Sequence, residues 1–117
     1  MADHEDRLRD LALCNEAFMI SVLAIDVEDA RPSGLEPAKH ALVQLASLVA
    51  IGAGGVSLHA CVEAALNAGV TVNEIVGTLI AVAPTVGVAR VVAAAPEVAL
   101  ALGYDVDSAL EMIDERL

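Results

Sequence analysis

The sequence predicts an all-α domain of five or six helices, on three observations. Apolar residues recur at spacings of three, four and seven over residues 3–25, and further apolar segments follow along the chain. Glycine and proline fall between those segments about a helix length apart. Thr71 and Glu74 have the Thr-x-x-Glu spacing of a capping box, in which each side chain satisfies a free backbone N–H of the other at a helix start. With 117 residues, the chain is expected to be a single domain, 1–117, with one core.

Residues 3–25 contain neither Pro nor Gly, and Leu8, Leu11, Phe18, Met19, Val22 and Ile25 keep helical spacing. They predict one amphipathic helix with an acidic outer face and Cys14 among its core candidates. The run DVEDARPSGLEP, residues 26–37, breaks the pattern with Pro32 and Gly34, so 1–35 reads as an N-terminal helix and loop. Pro37 suits the first turn of a second helix over 37–51, where its missing N–H costs little. A turn at 52–55 precedes a third helix over 56–68, which Gly69 closes in the left-handed conformation. The capping box starts a fourth helix at Val72, expected to end near Pro84. A fifth spans 86–102 with a bend at Pro96 and is closed by Gly103. The β-branched residues of 86–92 also suit a strand, but a lone strand would have no partner here. The last segment, 104–117, predicts a short helix over 107–116 with Asp105 or Asp107 as its N-cap.

Hydrophobic residues make up 57% of the chain before glycine is counted, against roughly 45–50% with glycine in an average soluble domain. Charge is confined to the ends: 1–39 hold nine acidic and four basic groups and 97–117 hold six and one, but 40–96 hold only Glu63, Glu74 and Arg90. Three charges in 57 residues cannot give that segment fully solvated helix faces, which predicts homo-oligomerisation. A membrane span over the uncharged stretch 41–58 is the rival explanation. Its Ala and Gly content, the turn at Gly52, Gly54 and Gly55, and the lack of Trp, Tyr or Lys/Arg flanks argue against it. The charged start MADHEDRLRD resembles no signal or transit peptide, so a cytoplasmic protein without membrane attachment is expected. A net charge of −11 with no Lys/Arg cluster argues against nucleic-acid binding. Two cysteines and three scattered histidines provide neither a disulfide framework nor metal-ligand spacing, so no metal and no cofactor are expected.

Three stretches, in this order, resemble a known family. They are EPAKHALVQLASLVAIGA, then AALNAGVTVNEIVGTLI with its A-x-x-x-G-hydrophobic-Thr-x-x-Glu-Ile pattern, then the helix around Gly87. Over 36–103 they are similar to the carboxymuconolactone decarboxylase-like proteins, which include the alkylhydroperoxidase D type. The resemblance implies a helical bundle of the alkylhydroperoxidase D-like type that assembles as trimers or hexamers, with a small organic acid or lactone as ligand. It also exposes departures. The Cys-x-x-Cys pair and the histidine of the alkylhydroperoxidase type fall at Gly54, Ser57 and Cys61, so both thiols are missing and a thiol replaces the histidine. The relay glutamate falls near Ala41, and the decarboxylase branch likewise has its histidine where Cys61 stands.

The candidate catalytic residues are therefore His59, Cys61 and Glu63, and the candidate substrate-binding residues are Arg90, His40 and Ser57. Cys61 is either a nucleophile or an inert core thiol. His59 lies four residues before Glu63 and two from Cys61, so it can meet the carboxylate but points about 200° away from the thiol. His40 and Gln44 form a second i, i+4 pair. Arg90, alone among apolar residues, requires a carboxylate of Glu63, Glu74 or Glu97, or of a bound organic acid. Three functions are compatible with these residues: proton transfer on a small acid or lactone by His59 or His40, a peroxidase using Cys61 with an external thiol, and a non-catalytic oligomer that keeps the fold.

Overall fold

A computed structural model describes residues 3–25 and 29–104, and among them the chain is all-helical. Six helices follow in order: α1 (His4–Ala12), α2 (Glu16–Leu23), α3 (Pro37–Ala50), α4 (Gly55–Asn67), α5 (Val72–Val86) and α6 (Val88–Ala101), with a 3₁₀ turn at Arg31–Ser33 before α3. The short helix expected over 107–116 lies outside the described residues.

The four helices α3 to α6 form the core, each contributing its apolar stripe. Ala41, Leu45 and Val49 of α3 pack with Leu58, Val62 and Ala65 of α4, Ile75 and Leu79 of α5, and Ala94 and Val98 of α6. The i, i+4 and i, i+7 spacings within these sets turn one face of each helix inward. Full burial of a Leu, Ile or Val side chain stabilises by about 1.5–3 kcal/mol, so these contacts hold the domain together. The capping box at the start of α5 forms as expected: Glu74 N donates to Thr71 Oγ1 at 3.1 Å and Thr71 N to Glu74 Oε1 at 2.9 Å.

The structure corrects the sequence reading in three places. The single helix expected over 3–25 is two helices. Asn15 N donates to Asp10 O and Cys14 N to Leu11 O, a Schellman closure with Cys14 at φ +52° in the left-handed position. Asn15 then caps α2 by accepting from Phe18 N at 3.0 Å. Secondly, Cys14 is exposed, and neither α1 nor α2 buries a residue, so Cys14 is no core residue of one helix. Thirdly, α5 runs through Pro84 to Val86. Proline's missing donor removes one bond, and Gly87 N donates to Ala83 O at 2.9 Å to close the end.

Two contacts attach the N-terminal helices to the loop before α3. Arg7 Nη2 donates to Ser33 O at 2.8 Å, and the same guanidinium lies against Gly34, where φ is +78°. Among the described residues, no helix is long and apolar enough to cross a membrane.

Candidate functional site

Between α3 and α4 lies a cavity of about 480 Å³. Pro37, His40, Ala41, Gln44 and Leu48 form the α3 wall, and Ser57, Ala60, Cys61, Ala64 and Ala68 form the α4 wall. Both sets follow helical spacing along one stripe. The α4 stripe consists of small residues, and these leave open a space that larger side chains would fill in a close-packed interior. Asp29, Ala30 and Arg31 form the mouth.

The polar groups in this mostly apolar space form two i, i+4 pairs, His40 with Gln44 and Ser57 with Cys61. His40 is the one buried polar or charged residue among the described ones, at 7% exposure. It stands in the first turn of α3, whose start is set by Pro37 and by the bond from His40 N to Glu36 O at 2.9 Å. Among the described residues, no side-chain hydrogen bond engages His40, Gln44 or Ser57; all three line the cavity, His40 buried, Gln44 half-buried and Ser57 exposed. Imidazole, carboxamide and hydroxyl together can donate to and accept from a bound carbonyl or carboxyl group.

Cys61 is half-buried, with its Sγ 3.8 Å from the Ala41 carbonyl oxygen, to which the thiol donates. Burial pushes its pKa above the ordinary thiol range, so the thiol keeps its proton at neutral pH.

At the mouth, Asp29 and Arg31 form a clip. Asp29 Oδ1 accepts from Arg31 N at 3.0 Å and Nε at 2.9 Å, and Oδ2 accepts from Nη2 at 3.0 Å. These hydrogen bonds, side-chain first and backbone second, hold the Asp29 carboxyl below the usual carboxylate range.

The residues singled out in the sequence separate into two groups. His40, Ser57 and Cys61 meet in the cavity, and His59, Glu63 and Arg90 do not. The expected His59–Glu63 pair is replaced by a contact to α6, His59 Nε2 to Glu97 Oε2 at 3.3 Å, while Glu63 is exposed. The Glu97 carboxylate reaches that point because position 55 is glycine; a Cβ on Gly55 would stand 2.5 Å from Glu97 Oε2.

Arg90 is not buried in a charge tie. It is exposed, has no carboxylate partner among the described residues, and lies across Gly52 beside a second space of about 310 Å³ between the end of α3 and α6. Glu97, one of the three acids expected to serve it, is taken by His59.

Asp29 and Arg31 are the charged lining residues, and the sequence did not suggest them. Their signal was an Asp-x-Arg step in an otherwise broken loop, too common to point to a site. Among the described residues, no group of three His, Cys, Asp or Glu side chains could hold a metal ion.

Ser57 and Cys61 occupy the places where the resemblance puts the second cysteine and the histidine, and His40 precedes the place of the relay glutamate. Comparison with curated proteins and with solved structures returned no match for the chain. A family-wide sequence model, the Carboxymuconolactone decarboxylase family, matches residues 16–100, most of the chain. The chain belongs to the carboxymuconolactone decarboxylase family.

Proposed function

We propose that the α3/α4 cavity binds a small, mostly apolar organic acid or lactone and that His40 moves a proton on it. The observation that carries this reading is the burial of His40 in a cavity wall opposite Ser57 and beside Gln44. The imidazole there takes a proton from a carbon next to a carbonyl group, while the Gln44 amide and the Ser57 hydroxyl donate to the carbonyl oxygen as it gains negative charge. Apolar walls strengthen each of these contacts by excluding water. A peroxidase based on Cys61 has less support, because the thiol is protonated and Cys14 lies in the break between α1 and α2.

The test is deuterium exchange from solvent into γ-lactones and their open-chain acids, followed by proton NMR. Wild type is expected to catalyse exchange next to the carbonyl of at least one compound, and His40→Gln to lose about a hundredfold, the low end for a general acid–base group. Equal exchange by both proteins, or none by wild type across the panel, would overturn the reading.

The same chain is proposed to work as a homo-oligomer, a trimer or hexamer. Large apolar side chains stand exposed along α5 and α6, among them Val76, Ile80, Val88, Val92 and Leu100, and a second subunit would cover them. Light scattering that gave a monodisperse monomer of 12.0 kDa would exclude this.

A further inference from the structure

We infer that Arg31 reads a carboxylate at the mouth of the α3/α4 cavity, which makes the ligand a small organic monoacid; this rests on the cavity reading proposed above. A guanidinium has five N–H donors in a rigid fork. Asp29 engages Nε and one N–H of Nη2, leaving three donors on Nη1 and Nη2. That second edge has the planar, two-pronged geometry that matches a carboxylate.

The Arg31 side chain is 91% exposed, and short-range bonds to Asp29 are what orient its guanidinium. Asp29 binds both the backbone and the side chain of Arg31, Pro32 stiffens the 3₁₀ turn, and Ala30 between the two charged residues is buried. Asp29 is thus a positioning residue. The hydrogen bonds from Arg31 hold its carboxyl below the usual carboxylate range, which favours the charged form that the clip needs.

The opposite character of the two ends of the cavity identifies the ligand. Ala41, Leu48, Ala60 and Ala64 offer an apolar interior, and the mouth carries the one permanent positive charge among the lining residues. A molecule with a mostly apolar body, a carbonyl group within reach of Gln44 and Ser57 and a single carboxylate head fits both, whereas a neutral lactone would leave the free edge of Arg31 to water. Because Asp29 balances its charge, Arg31 recognises by fork geometry and contributes little long-range attraction.

Calorimetric titration of the full chain with benzoate and with benzamide, which share a shape and differ in charge, tests the assignment. Wild type is expected to bind benzoate about tenfold more tightly than benzamide, the ratio that one charge-assisted contact of modest strength supplies. Arg31→Gln should abolish the ratio and leave benzamide affinity unchanged, and Arg31→Lys, which keeps the charge without the fork, should restore part of it. Equal affinities in wild type, or a ratio that survives Arg31→Gln, would overturn the carboxylate assignment and leave the cavity reading standing. Failure of both probes to bind would overturn the two readings together.

Discussion

The two faces of α4 differ in how their polar groups are used. Toward α6, His59 and Glu97 engage each other at 3.3 Å in a half-exposed pair. Toward α3, Ser57 and Cys61 face His40 and Gln44 across a cavity, and among the described residues only the thiol of these four has a side-chain hydrogen bond. A polar group already paired to its own protein has little left to offer a ligand, whereas one kept in an apolar wall without such a pair is held ready for one. The two histidines show the difference: one is a structural contact and the other a candidate acid–base group.

Both faces depend on the same buried ridge, so the largest effect should come from removing it. Leu58 is 2% exposed and lies on α4 between Ser57 and His59. Leu58→Ala is expected to cost about 2–5 kcal/mol, the usual range for a buried leucine, as measured by denaturant unfolding. A loss below about 1 kcal/mol would mean that α4 is not anchored through this residue, and the contrast between its faces would lose its frame.

His40→Gln and His59→Gln then separate the faces directly. In the deuterium-exchange assay the first should lose about a hundredfold and the second less than about twofold, because only His40 touches the cavity. The reverse order would move the active group to the α6 side of the helix and make the His59–Glu97 pair the dyad.

How much of this was legible in the sequence depended on whether the signal was local. The capping box at Thr71 and Glu74 and the glycine closures are properties of a few adjacent residues, and they formed where the spacing placed them. Gly52 and Gly69, at φ +69° and +90°, are each the left-handed member of a Schellman closure. The break between α1 and α2 uses the same closure with Cys14 in the glycine's place, so composition gave no warning. Partner choice across helices was less legible. The i, i+4 rule paired His59 with Glu63, but rotation of α4 against α6 brought Glu97 closer. Arg90 was expected to be buried on the grounds of its apolar neighbours in sequence, yet Val88, Ala89 and Val92 are themselves exposed. The cavity was hardest to foresee, since it arises from two helix stripes meeting, and neither stripe is unusual alone.

The thiols give a smaller, pH-dependent contrast. Cys14 is exposed and Cys61 is half-buried with a raised pKa, so iodoacetamide should alkylate Cys14 at least about tenfold faster at pH 8, as read by mass spectrometry of each peptide. Raising the pKa favours the protonated thiol in the folded state. The folded chain thus holds a proton that the unfolded chain has released once pH passes the ordinary thiol value, and stability falls from there upward through the raised value. Cys61→Ala should remove that part of the alkaline loss. Fast sulfenic acid formation at Cys61 with an organic hydroperoxide would instead show a thiolate and return the peroxidase reading.

The smallest effect should come from the α6 side, where the paired groups are half-exposed and screened. His59 and Glu97 side chains are 44% and 42% accessible, so water competes with their contact, and a double-mutant cycle of His59→Ala and Glu97→Ala should give a coupling below about 1 kcal/mol. Gly55 provides an independent check on the same contact. A Cβ there would meet the Glu97 carboxylate, which can swing away because it is the end of a flexible chain. Gly55→Ala should thus separate the pair at little cost, since the residue opens α4 and alanine favours the helix. If Gly55→Ala costs several kcal/mol and Glu97→Ala restores the loss, Glu97 is held rigidly against the start of α4. The α6 face would then be fixed as firmly as the ridge at Leu58, and the contrast between the two faces of α4 would be one of rigidity as well as of pairing.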